Sequence, residues 1–264
     1  VTFTRNIDAV ANQKTHLPAN FHASWNQTLP FLTVNYQPIE SLALYAEYAR
    51  GFLAPPLSVL YNFDPGNNTV QPQTSNAYQA GVVYHGANVS IDADVYWIDF
   101  NNKFASKKVS GDTVFYNQGG VTYKGIEGEI TYAFGNGLAV FVNGSLNSAK
   151  DRDTHLQVSQ APKGTAAGGI LYKHGPIKFS LIDKYIGVQY ADDAHSLPGY
   201  RIPGYNTAIL SVGYDFGMFA VEGTVSDLFD SEKVVNIDIN DGPVDDQYHF
   251  QPGREASLSL IGHF

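Results

Sequence analysis

Val89-Ser90-Ile91-Asp92-Ala93-Asp94-Val95-Tyr96-Trp97 is the stretch whose reading decides the fold. Its odd positions are Val89, Ile91, Ala93, Val95 and Trp97; Ser90, Asp92, Asp94 and Tyr96 fall between them. A strand sends alternate side chains to opposite faces, so one face suits lipid and the other water. The split recurs in Leu42-Leu44-Ala46-Tyr48 against Ala43-Tyr45-Glu47, and in Ile126-Ile130-Tyr132-Phe134 against Glu127-Glu129-Thr131. It returns in Phe219-Val221-Val225 against Glu222-Thr224-Ser226. The rule predicts strands over 29–37, 40–51, 76–85, 88–100, 122–134, 138–149, 164–173, 177–188, 205–215, 218–228 and 254–264, about eleven in all, with a further one around Phe21 to Gln27.

The joins alternate in length. Gln37-Pro38-Ile39, His85-Gly86-Ala87, Phe134-Gly135-Asn136-Gly137, Lys173-His174-Gly175-Pro176 and Asp215-Phe216-Gly217 are rich in tight-turn residues and predict hairpins on one rim. The connections near 52–75, 101–121, 150–163, 189–204 and 229–253 are long and predicted to be loops. Short turns on one side and long loops on the other is the layout of an outer-membrane barrel. A soluble sandwich also alternates apolar and polar residues, but its strands usually run about 5–6 residues, whereas a tilted membrane strand needs about 9–11. Tyr36, Tyr84, Trp97, Tyr132, Tyr172 and Tyr214 lie near strand ends, where an interfacial aromatic girdle would sit.

Composition agrees. Charged residues make up 16% of the 264, while Tyr (17), Phe (16) and Gly (25) are plentiful, as suits an all-β chain. No run approaches the roughly 18 apolar residues of a membrane helix. A mean hydropathy of -0.18 remains compatible with a barrel whose lipid and lumen faces alternate. The net charge of -9 argues against a nucleic-acid partner, and the absence of cysteine excludes disulfides, zinc-thiolate sites and thiol catalysis.

Several blocks then resemble the TonB-dependent receptors of Gram-negative outer membranes, in order along most of the chain. Leu42 to Pro56, followed by Leu60-Tyr61, looks like a strand entering the family's "GF-x-AP" loop. Val70 to Gly81 is similar to the "L-x-PE-x-S-x-x-YE-x-G" block, with Gln73 and Gln79 replacing the usual glutamates. Asn117 to Glu129 resembles the "N-x-G-x-x-x-x-GIE-x-E" segment, and Val225 to Asp230 the "V-x-NLFD" strand end, with Asp227 where Asn is usual. The close, Leu258 to Phe264, resembles the family's last strand, whose terminal aromatic is an assembly signal.

The resemblance implies an antiparallel transmembrane β-barrel of roughly 22 strands with a plugged lumen, of which residues 1–264 would be the C-terminal half. It implies TonB-energised uptake of a small-molecule ligand, by family default a ferric siderophore. Contact with the TonB complex would run through an N-terminal segment, which with the plug and early strands is expected upstream of Val1. The expected location is the cell outer membrane, in contact with its lipid. The alternative is a passive, porin-like channel needing no plug.

Tyr190, His195, Tyr200 and Arg201 fall in one predicted outer loop, and Tyr248 and His249 end the next. Aromatic and cationic groups there suit an anionic, aromatic chelate; they equally suit loop packing. Glu127 and Glu129, like Asp92 and Asp94, read as a solvated lumen wall rather than a catalytic pair. Asn236 to Gly242 with Asp245-Asp246 is acidic, but its Gly comes one place late for a calcium loop. The histidines show no metal-ligand spacing, and neither a nucleophile-base arrangement nor a phosphate-binding loop is present. No catalytic residue, metal or cofactor is expected.

Overall fold

A computed structural model describes residues 2–11, 18–55, 70–109, 112–239 and 244–262. Its strands in chain order begin with β1 (Thr2–Ala11), β2 (Pro18–Asn26), β3 (Phe31–Ile39), β4 (Leu42–Leu53), β5 (Gln73–His85) and β6 (Val89–Val109). There follow β7 (Asp112–Ala133), β8 (Leu138–Asp151), β9 (Gly164–His174), β10 (Ile177–Ile186), β11 (Gln189–Tyr190) and β12 (Arg201–Ile202). The last are β13 (Tyr205–Asp215), β14 (Phe219–Ser226), β15 (Val234–Asp238), β16 (Gln247–Phe250) and β17 (Glu255–Gly262). Eleven of them form one antiparallel sheet in the order β17-β14-β13-β10-β9-β8-β7-β6-β5-β4-β3. Each expected strand of 29–264 has its counterpart there, and β2 covers the one expected near Phe21. β1, which pairs with β2, was not anticipated. Phe264 and Leu60-Tyr61 lie outside the described residues.

The short turns close as their residues require. Gly137 (φ 88°) and Gly217 (φ 91°) take the left-handed backbone that only glycine adopts without cost. A Cβ on Gly137 would stand 2.1 Å from the Lys173 carbonyl oxygen. The first turn is displaced from its expected place. Gln37, Pro38 and Ile39 belong to β3, with a register shift between Tyr36 and Ile39, and the chain turns at Glu40-Ser41. The irregularity leaves Gln37 and Pro38 without partners between Tyr36↔Leu44 and Ile39↔Leu42, so the proline's missing N–H takes no hydrogen bond from the β3–β4 ladder.

The larger correction concerns 101–121, expected as a loop. The β6–β7 ladder runs on from Asn101↔Gly120 to Val109↔Asp112. At roughly 3.3 Å per residue, the 21 residues of β6 span about 70 Å, far more than the apolar band of about 25 Å. Beyond that band both faces meet water, so the alternation that betrays a membrane strand vanishes although the hydrogen bonds persist.

Strand register assembles the two faces across the sheet. On the apolar face Val95, Ile126, Val142 and Leu146 are each at least half exposed, a continuous greasy surface. Aromatics border it below, near the short turns: Tyr132 packs edge-on to Phe134 at 4.8 Å, and Tyr214 and Phe219 flank Phe216. Above lie Tyr48 against Tyr78 at 5.0 Å, and Trp97. From Tyr132 to Lys124, the partner of Trp97, β7 advances eight residues, about 20 Å along the membrane normal at a tilt of about 40°. The two aromatic borders are thus one apolar band apart.

Candidate ligand-binding surface

On the long-loop side the connections fold into a layer over the end of the sheet. Segment 152–163 comes back against β7 and β8, burying Val158 with Val121 and Ala149. Asp151, buried, steers this return: its Oδ1 accepts the backbone N–H groups of Asp153 and Thr154, both at 2.9 Å. In the next connection a short 3-10 turn, Pro198–Tyr200, sits between β11 and β12. Tyr200 and Ile202 make a small core with Ile237 of β15, backed by Ala191 and Val234.

Polar links knit these segments. Gln189 Nε2 donates to the Val235 carbonyl oxygen at 3.0 Å, and the Gln160 N–H donates to that of Tyr190 at 2.9 Å. Asp193 accepts from the Ser159 N–H at 2.7 Å and pairs with Lys103 on the outer part of β6. Burial opposes ionisation of Asp193, but the hydrogen bonds from Lys103 and Ser159 and the Lys103 charge outweigh it, holding the carboxyl below its ordinary value. The Tyr200 hydroxyl donates to Asp246 Oδ2 at 2.6 Å. That hydrogen bond above all, with desolvation and the Asp246 charge, pushes the phenol up to about 12.

The six candidate residues divide. Tyr190 and His195 stack at 3.7 Å and 12°, and His195 Nε2 donates to the Gln157 carbonyl oxygen at 2.7 Å. Tyr200 is buried, and His249 Nε2 donates to Asp238 Oδ2 at 2.8 Å. Arg201 and Tyr248 remain exposed. Tyr190 and Arg201 meet as backbone partners of the β11–β12 pair, and Tyr248 stands near enough to Tyr200 to help raise its pKa. The layer therefore draws Tyr190, His195, Tyr200 and Arg201 into one region with Tyr248, while His249 is turned to Asp238. In the acidic segment, Asn236 Nδ2 donates to Asp238 Oδ1. Asp241 and Gly242 lie outside the described residues, and among those described no three His, Cys, Asp or Glu side chains converge as a metal site.

The polar face of the sheet carries a second feature. Asp94 lies directly opposite Glu127, and Asp92 opposite Glu129. Asn143 Nδ2 donates to Glu129 Oε2 at 3.2 Å, and the Tyr45 hydroxyl to Asp94 Oδ2 at 3.5 Å. Like charges directly opposed across strands repel, so this face needs water or a cationic partner rather than a packed apolar layer.

A sheet with one greasy and one acidic face, tight turns at one end and docked loops at the other, is matched over residues 2–228 by the family model described as TonB dependent receptor-like, beta-barrel. The chain belongs to that family. It is 27% identical over 226 residues to a ferrioxamine receptor of Yersinia enterocolitica, covering 82% of this chain and 29% of that protein. It is 25% identical over 214 residues to a vitamin B12 transporter of Photobacterium profundum, covering 77% and 34%. The structure resembles the unliganded ferric citrate transporter FecA with a TM-score of 0.79 at 22% identity, over 92% of this chain and 39% of that one. The chain thus spans about a third of the length of its sequence relatives.

In a TonB-dependent receptor barrel the acidic face lines the lumen and the greasy face meets lipid. Lys103, Gln157, Asp193 and Asp246, which bind the outer layer together, were missed as partners from sequence. Lys103 and Asp193 are 90 residues apart and share no local pattern. The Asp245-Asp246 pair drew notice only as part of an acidic run.

Proposed function

We propose that the protein containing this barrel segment is an outer-membrane receptor for TonB-energised uptake, and that its ligand is a ferric siderophore. The observation carrying this reading is the layer of docked outer loops on a sheet of the TonB-dependent receptor family. Loops fixed to one another over the end of the sheet offer a shaped surface that can hold a ligand before transport, which passive diffusion through a channel does not require. The ferrioxamine receptor at 27% identity supports the ligand class, beside a vitamin B12 transporter at 25%. Residues 1–264 form the C-terminal part of the barrel, and the plug and the segment that meets TonB belong to the remainder of the protein.

For ligand contact we favour the exposed pair, Arg201 and Tyr248, with the Tyr190–His195 stack beside them as support. A guanidinium attracts an anionic chelate, and a phenol face stacks on the ring of a catecholate ligand. The test is uptake of radiolabelled ferric siderophore by cells expressing the whole gene, with and without functional TonB. Uptake that vanishes without TonB supports the receptor; uptake that persists overturns it in favour of a passive channel. Arg201→Ala is expected to weaken binding of the radiolabelled chelate to whole cells about tenfold, with barrel assembly unchanged.

A further inference from the structure

Just past the middle of β6, where β5 and β8 end and only the β6–β7 ladder runs on, three consecutive residues each hold a different outer connection. Asn101 Oδ1 and the Phe100 carbonyl oxygen both accept from the Arg152 guanidinium, the latter at 3.2 Å, and so fix the start of segment 152–163. Asn102 Nδ2 donates to the Pro72 carbonyl oxygen at 3.1 Å, on the return of the β4–β5 connection into β5. Lys103 pairs with Asp193 of the β11–β12 connection. The backbone departs from a regular strand at the middle residue. Asn102 has φ 59°, and its pairing with Gly119 is the rung missing between Asn101↔Gly120 and Lys103↔Gln118. Left-handed backbone is uncommon outside glycine, and asparagine is among the residues that take it most readily. A regular strand would send Asn102 to the opposite face from Asn101 and Lys103; a left-handed residue breaks that alternation where the three links leave.

Asn117 on β7 closes the gap. Its Nδ2 donates to the carbonyl oxygens of Asn102 and Gln71, both at 2.9 Å, and its Oδ1 accepts the Gln71 N–H at 2.6 Å. One amide, with two donor hydrogens and an acceptor, thus replaces the missing rung and pairs with the β4–β5 return as a strand would. Val70, Pro72 and Gln73 beside it are buried. Gly119 and Gly120 leave the room that the Arg152 link needs. A Cβ on Gly120 would collide with the Arg152 guanidinium and the Phe100 carbonyl oxygen, and one on Gly119 with the Asp153 carboxylate. Asp193 in turn accepts the Ser159 N–H, so the Lys103 link reaches segment 152–163 as well. All three links leave adjacent residues whose aim is set by one left-handed backbone, so loosening that backbone would release them together.

We infer that Asn101-Asn102-Lys103 is a positioning node: it makes the β4–β5 return, segment 152–163 and the 189–204 connection one cooperative body, and so sets the surface that carries Tyr190, His195 and Arg201. That this surface meets ligand rests on the proposed function; the node itself does not. The test is hydrogen exchange, read by mass spectrometry on the whole receptor in detergent micelles without ligand. Asn102→Gly keeps the left-handed backbone accessible and deletes the amide. It should speed exchange several-fold in 70–75 and also in 152–163 and 189–204, whose links belong to Asn101 and Lys103. Lys103→Met should reciprocally speed exchange in 70–75, and Lys103→Arg should keep the wild-type pattern. N102G/K103M should loosen the layer by less than the two single effects added in free energy. Heat-modifiable migration checks each barrel; if Asn102→Gly fails that check, Asp193→Asn, which cuts a link without altering β6, carries the expectation for 70–75. Loosening confined to each variant's own partner segment overturns the inference, as do effects that simply add, or a Lys103→Arg as loose as Lys103→Met. Neither ligand nor TonB enters the measurement. Uptake that persists without TonB would therefore overturn the proposed function alone, and purely local loosening would sink only the node.

Discussion

Tyr200 reaches Asp246 with its phenol proton, and the pKa of about 12 that results carries a pH dependence with a definite sign. An unfolded tyrosine titrates near 10, so the contact's contribution is complete below about pH 10 and is lost as pH rises through about 12. Limited proteolysis of the 189–204 segment should therefore accelerate across that window, and Tyr200→Phe should be cut several-fold faster already at neutral pH. Asp193 acts in the opposite direction. Its carboxyl lies below the ordinary value, so docking to Lys103 and Ser159 is at full strength above about pH 4 and fades as pH falls through the lowered folded value. Asp193→Asn should make the loops open to hydrogen exchange at neutral pH and abolish their acid response.

For the strands, adjacent positions have opposite tolerances. Ala93 stands midway between the aromatic borders on the lipid side, while Asp92 faces Glu129 on the lumen side. Ala93→Lys should cost about 2–4 kcal/mol, as a cation at the membrane midplane does. Asp92→Lys removes a like-charge opposition and should stay within about 0.5 kcal/mol of wild type. Urea unfolding of the intact barrel in vesicles distinguishes the two. This alternation is what made the sheet legible: β4 to β10 show in the sequence because one face must satisfy lipid. The outer half of β6 and β7 did not, because a ladder in water imposes no hydropathy rule. The candidate site was legible only as loop composition. That Tyr190 would stack on His195 within its loop, or that Lys103 would seek Asp193 ninety residues away, depends on loop folding that no local pattern encodes.

For the molecule as a whole, every residue of the edge strands β3 and β17 is exposed, and the two do not pair with each other among the described residues. An open edge in lipid leaves backbone groups unsatisfied, each at a cost of several kcal/mol. Residues 1–264 produced alone should aggregate or remain protease-sensitive in vesicles, whereas the whole protein should migrate as a heat-modifiable barrel; a resistant, inserted fragment would contradict the open sheet.

The length of β6 and β7 has one more outcome. If about half of each strand covers the apolar band, the rest rises some 30 Å clear of the bilayer, held by its own ladder. In the outer-membrane placement proposed above, that arm would be open to an antibody on an intact cell. Immunoglobulin raised against the Lys103 to Gln118 hairpin should stain unpermeabilised bacteria, turning a strand too long for its membrane into a handle for the immune system.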